Sequence, residues 1–175
     1  MVDLVHQPKS EARVLHCQAS ERDPAALRRV RLLKEFRDSS DAAFVENIPR
    51  RHCLAAVARV IGFDGWPHAL AVLTGERSDD FGTILYPPRG AAYWNIWSAS
   101  YPEAKSLRER TGGYLLAYKK HYFIVEKYFI ESLGLDPEDP DWERIGRDWV
   151  RPVDLEARSR LYARLIACNP LTRAA

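Results

Sequence analysis

Apolar positions recur every three or four residues through the first half of the chain and shift to short β-branched and aromatic runs in the second. Between Arg51 and Thr74 the run RHCLAAVARVIGFDGWPHALAVLT reads as two short helices clamped by a Gly-Phe-Asp-Gly-Trp-Pro corner. Upstream, Asp23-Pro24 is a helix start, because the carboxylate accepts from free amides and proline loses nothing at the first helical position. A helix over about 24–37 follows, with Leu27, Val30, Leu33 and Phe36 inward and Arg28, Arg29, Arg31, Lys34 and Arg37 solvated. Asp38 to Asp41 ends it, with a further turn open to Ala42–Val45. Asn47-Ile48-Pro49 opens the next helix, which carries Leu54, Val57, Ala58 and Ile61 and closes on a left-handed Gly62. Asp64 is expected to cap the following helix, with Ala69, Leu70, Val72 and Leu73 inward and Gly75 at its end. Trp66, behind the glycine-closed helix, is expected to organise a buried corner.

The period changes after Gly75 to Asp80, a candidate boundary between a helical module over 1–76 and an aromatic-rich part over 81–175. Thr83–Tyr86 reads as a strand broken by Pro87-Pro88-Arg89-Gly90, and Ala92–Trp97 also has strand composition. Tyr101-Pro102 starts a helix through Arg110, closed by Thr111-Gly112-Gly113. Tyr114–Tyr118 and Tyr122–Val125 read as two strands around Lys119-Lys120-His121, either a hairpin or one long strand interrupted by a bulge. Helix returns over 126–133 and stops at Gly134; Asp136 to Asp141 supplies two more Asp-Pro starts; and Trp142 to Ile145 makes one turn. Asp154 caps a last helix with Leu155, Leu161, Tyr162, Leu165 and Ile166 inward, ended by Asn169-Pro170. The pattern predicts an α+β fold, in which an N-terminal helical module packs on a small antiparallel sheet with flanking helices.

With 175 residues, 46% hydrophobic and 29% charged, the chain can bury a core as one compact unit. A net charge of +2 creates no global field toward nucleic acid or an anionic membrane, so any such binding is local. Three cysteines without CxxC spacing argue against a disulfide framework and for a reducing, cytoplasmic setting. The N-terminus lacks an apolar leader segment, and no apolar run reaches the roughly 18 residues of a membrane span.

The segment Ala25–Leu73, with ALRRVRLLKEF and LAAVARVIGFDGWPHALAVL, resembles a small three-helix module. That module occurs at the N-termini of some bacterial ankyrin-repeat proteins and in plasmid-borne proteins labelled glyoxalase-superfamily. The resemblance rests on Leu54, Ala58, Gly62, Phe63, Trp66 and Leu70, and it implies a fold rather than a reaction. From Phe81 on, GGYLLAYKKHYFIV and LGLDPEDPDWERIGRDWVRP look like uncharacterised proteobacterial proteins, a likeness that implies no activity.

Candidate chemistry is sparse. The Ala58-x-x-x-Gly62 spacing fits a helix-turn-helix over 50–74, with Arg50, Arg51 and Arg59 near phosphates and His68 on the would-be recognition helix. No arginine, asparagine or glutamine lies between Trp66 and Thr74 to read base edges, which favours a packing role for the segment. His16-Cys17 and His52-Cys53 lack zinc spacing, and the 136–141 acidic run lacks the glycine and terminal glutamate of a calcium loop, so neither a metal nor a cofactor is expected. Arg89 with Lys119, Lys120, His121 and Tyr122 is the best cationic and aromatic set for a small anionic ligand. Lysines at a strand edge more commonly keep it from pairing. No GxSxG elbow or other nucleophile motif supports an enzyme. The aromatic excess of the second part points instead to a protein interface or self-association through Trp94 and Trp97.

Overall fold

A computed structural model describes residues 2–33, 36 and 48–168. It shows an α+β fold of eight α-helices and one three-stranded antiparallel sheet among those residues. The first helix, α1 (His6–Ser20), has no counterpart in the sequence pattern, because its inward face of Pro8, Ala12, Leu15 and Ala19 contains one large side chain. Asp3 accepts from the amides of Val5 and His6 just ahead of it. The helix α2 (Pro24–Arg31) begins as read, with the Asp23 carboxylate 2.7 Å from the Ala26 amide. It ends at Arg31 rather than near residue 37, where the ladder tightens to three-residue bonds from Leu32 to Arg29 and from Leu33 to Val30. The Ala42–Val45 turn, the Asn47 cap and the Asn169-Pro170 stop fall outside the described residues. Helix α3 (Arg50–Ile61) packs against α1, α2 and α4 (Trp66–Leu73).

The corner between α3 and α4 forms, with different residues in charge. Gly62 sits at φ +113°, and the Phe63 amide reaches back to the Ala58 carbonyl at 2.9 Å. Phe63, 3% exposed, plugs the corner; burying a ring of that size contributes about 2 kcal/mol. Trp66 begins α4 only half-buried against the core. Asp64 does not cap α4: Gly65 occupies that position, and the Asp64 side chain is exposed. Its amide donates instead to Nδ1 of buried His68 at 3.3 Å, which leaves the proton on Nε2 to be donated to the Asp80 carbonyl at 3.0 Å.

Beyond the corner the chain returns against it. The Gly62 carbonyl accepts from both the amide (2.7 Å) and the hydroxyl (3.1 Å) of Thr83. Thr83–Tyr86 is therefore a turn, not the expected strand, and the Tyr86 amide closes it on the Thr83 carbonyl at 2.9 Å. Gly82 takes φ +66°, and a Cβ there would lie 2.5 Å from the Gly62 carbonyl oxygen. Its own carbonyl accepts from the Lys119 amide at 2.7 Å, while the Phe81 amide donates to the Lys119 carbonyl at 3.0 Å. These bonds fasten the sheet hairpin to the helical part, and residues of both parts share one core cluster.

The sheet order is β1-β3-β2, from β1 (Ile96–Ser98), β2 (Tyr114–Tyr118) and β3 (His121–Val125). β1 is shorter than the Ala92–Trp97 composition suggests, because Pro88–Ala92 winds into a 3₁₀ helix. Register pairs Trp97 with Phe123 and Leu116 with Phe123, which puts these three on one face, against Tyr86 and Phe129. The opposite face, with Tyr122 and Ile124, is covered by α5 (Tyr101–Thr111), where Tyr101 meets Tyr122 edge-on at 5.8 Å. The outer edge of β2 is sealed by the chain at 147–149, through Leu115 N to Arg147 O and Trp149 N to Leu115 O, both 2.9 Å. Asp148 in that seal accepts from the Tyr101 hydroxyl at 2.6 Å and from the amides of Val150 and Arg151. Burial, then the Asp148 carboxylate, raises the Tyr101 pKa.

Helix α6 (Lys127–Ser132) follows β3, and two more helices close the fold. Asp139 starts α7 (Pro140–Arg144), and Asp154 caps α8 (Leu155–Cys168) through the Glu156 and Ala157 amides. The two helices are tied by Asp141, which receives both Nε (2.9 Å) and Nη2 (2.6 Å) of Arg160, with Arg164 joining Asp139 and Asp141. The Arg160 bond holds the Asp141 carboxyl below its usual pKa.

Two outcomes follow for stability. Gly82→Ala is expected to cost at least about 2 kcal/mol in urea unfolding, since its methyl meets backbone that cannot yield. Asp141→Asn is expected to lower the melting temperature at neutral pH. A depressed carboxyl stabilises above its unfolded pKa of about 4 and loses that contribution as pH falls through its folded value, so the gap to the parent protein should close in acid.

Candidate interaction surface

The open edge of the sheet gathers the exposed aromatics. β1 pairs with β3 on one side only, and among the described residues no strand pairs with its other side. Trp94, directly ahead of the strand, is 100% exposed. Trp97 is 44% and Ile96 43% exposed, so each face of the edge strand shows an apolar side chain to solvent. Tyr93 and Tyr128 are also exposed large side chains of this part of the chain.

The surface is rigidly backed. Trp97 stacks on Phe123 with centroids 4.8 Å apart and planes 21° apart, and meets Tyr86 edge-on at 5.1 Å. Tyr93 meets the buried Phe129 at 5.5 Å, and Phe129 lies beside Tyr128 on α6. An aromatic held by two ring neighbours loses little rotamer freedom on binding, which is what makes such residues efficient anchors. No lysine or proline lies within β1 to deter another strand. Val153 and Leu155 are exposed too, near the start of α8, but no unpaired strand accompanies them.

The other sets named from sequence are placed differently. Lys119, Lys120 and His121 are exposed at the tip and start of the β2–β3 hairpin, with the Lys119 ammonium 5.6 Å from the Tyr118 ring centre. Tyr122 is half-buried under Tyr101, and Arg89 lies in the 3₁₀ helix Pro88–Ala92. Lys119 takes φ +52° at the first position of a two-residue hairpin loop, where positive φ suits the twist of the strands, and its backbone bonds to Phe81 and Gly82. On the helical side Arg50 and Arg51 are exposed in the first turn of α3, and Arg59 Nε donates to the Asp64 carbonyl at 3.2 Å. His68 is buried in the corner, and the outward residues of α4 include Trp66, Pro67, Leu70 and Ala71, which offer no base-reading side-chain amide or guanidinium.

Among the described residues, no group of three or more histidine, cysteine, aspartate or glutamate side chains converges, and no helix is long and apolar enough to cross a membrane. The three cysteines are unbridged; Cys17 is exposed, whereas burial pushes the Cys53 thiol up to about 11. Compared with protein families, with curated proteins and with solved structures, the chain matches none.

Sequence composition pointed to Trp94 and Trp97 but not to Ile96, whose exposure follows from the place of β1 at the edge of the sheet. Two measurements check the placement. Trp94→Phe should remove the indole emission most readily quenched by acrylamide. A thiol reagent at mildly alkaline pH should label Cys17 in the native protein and reach Cys53 only on unfolding.

Proposed function

We propose that this chain is a protein-interaction module without a catalytic centre, working in a reducing, cytoplasmic setting and binding a partner strand along β1. The partner class includes a second copy of the chain. The observation that carries the reading is Trp94, an indole wholly in solvent beside a strand that carries Ile96 and Trp97 and whose outer side is open among the described residues. An added strand would gain main-chain hydrogen bonds from the edge, and the indoles would supply the apolar anchors. A surface of this kind is costly to leave bare, since open apolar edges invite unwanted pairing.

The test is molar mass by light scattering together with capture from lysate, each repeated with Trp94→Ala and with Ile96→Lys. Self-association or a captured partner should weaken at least about tenfold in either variant, the loss expected of an aromatic anchor and of a charged edge. A strictly monomeric parent protein that captures nothing sinks the reading. So does a complex indifferent to both substitutions.

A further inference from the structure

The helical part and the sheet part meet around a cleft of about 700 Å³, none of whose described lining residues belongs to β1. Its walls come from the end of α2, the last turns of α3, the Thr83–Ile84 turn, Pro87-Pro88, Leu133 and α8. Leu32, two-thirds exposed at 67%, marks its mouth, while Ile61, Ile84, Leu133 and Leu165 form buried wall behind it. A volume of that size is typical of sites for small organic molecules, and convergence of separate structural units is where such sites occur.

The lining decides the ligand's chemistry. Among the described lining residues none is aromatic, so the walls offer branched aliphatic surface and no flat ring on which a planar molecule could stack. Two described lining side chains are polar, and both are engaged: the Thr83 hydroxyl donates to the Gly62 carbonyl, and Arg59 Nε donates to the Asp64 carbonyl. The Arg59 charge also lies in the last turn of α3, where it offsets the helix dipole. An anionic head group would have to share the Arg59 guanidinium with the partners it already has, and a cationic one would meet that charge with no acidic side chain among the described lining residues. We propose that the cleft binds an uncharged, flexible aliphatic molecule, of the alkyl or isoprenoid-alcohol class, held by shape and apolar area.

The experiment titrates 1-decanol, and separately decanoate, into the full-length protein labelled with ¹³C at its methyl groups. Saturable shifts are expected at the methyls of Leu32, Val60, Ile61, Ile84, Leu133 and Leu165. Decanoate should bind at least about tenfold more weakly, because its carboxylate would lose water beside a guanidinium that is already engaged. Leu32→Asp, at an exposed position with little bearing on folding, should weaken decanol at least about tenfold by placing a charge in the mouth. Val60→Trp, which fills the cleft from a partly exposed position, should abolish the shifts. Trp94→Ala should leave decanol binding unchanged, which separates this site from the β1 edge. The inference is overturned if decanol gives no saturable shifts, if the shifts fall on other methyls, if decanoate binds as tightly, or if Leu32→Asp binds as well as the parent protein.

Discussion

Two backbones approach at Gly62 and Gly82 more closely than a methyl group would allow, and the rest of the fold is arranged around that contact. The left-handed turn at Gly62 closes α3 and sends Phe63 into the core, while its carbonyl takes both the amide and the hydroxyl of Thr83. Gly82 then hands its own carbonyl to Lys119, which bends the hairpin back onto the helical part. The left-handed φ of Lys119 costs about 1–3 kcal/mol, and the two backbone bonds from that residue, each contributing about 0.5–1.5 kcal/mol, offset it. A two-residue hairpin loop itself favours a positive φ at its first residue, so the turn and the docking of the hairpin select the same conformation at position 119.

Buried polar groups serve as fasteners between segments distant in sequence. His68 joins the α3–α4 corner to the Asp80 carbonyl, and Asp148 joins α5 to the chain that seals β2. Each replaces water by hydrogen bonds of ordinary length, so removing one partner would strand the other in a low-dielectric interior. Both residues are fully satisfied: Asp148 receives three donors and both nitrogens of His68 are taken.

The α+β class, the strand character on either side of Lys119-Lys120, and the starts at Asp23, Asp139 and Asp154 were legible because each depends on local rules: β-branched and aromatic composition, and a carboxylate before free amides. What misled was long-range. Thr83–Tyr86 has strand composition, but Gly62, some twenty residues earlier, takes its hydrogen bonds and folds it into a turn. Asp64 has the chemistry of a cap, yet His68 captured the amide that set the geometry. Helix α1 escaped because alanines pack as tightly as leucines without leaving an apolar stripe. At the candidate surface, composition singled out two tryptophans, whereas the exposure of Ile96 depends on which strand lies at the edge, a property of sheet order that no local pattern encodes. The cleft is illegible for the same reason, since its described walls come from six separate stretches of chain.

The seal at residues 147–149 makes the sheet polar in a sense that strand order alone does not convey. One flank is closed by the protein's own backbone and the other is open among the described residues. A sheet with a single vacant flank can accept one neighbour and is then finished: two copies joined through β1 would bury both vacancies about a twofold axis and leave no site for a third. Growth by addition at β1 would then terminate after one step, which lowers the hazard of fibre formation that a bare aromatic edge carries.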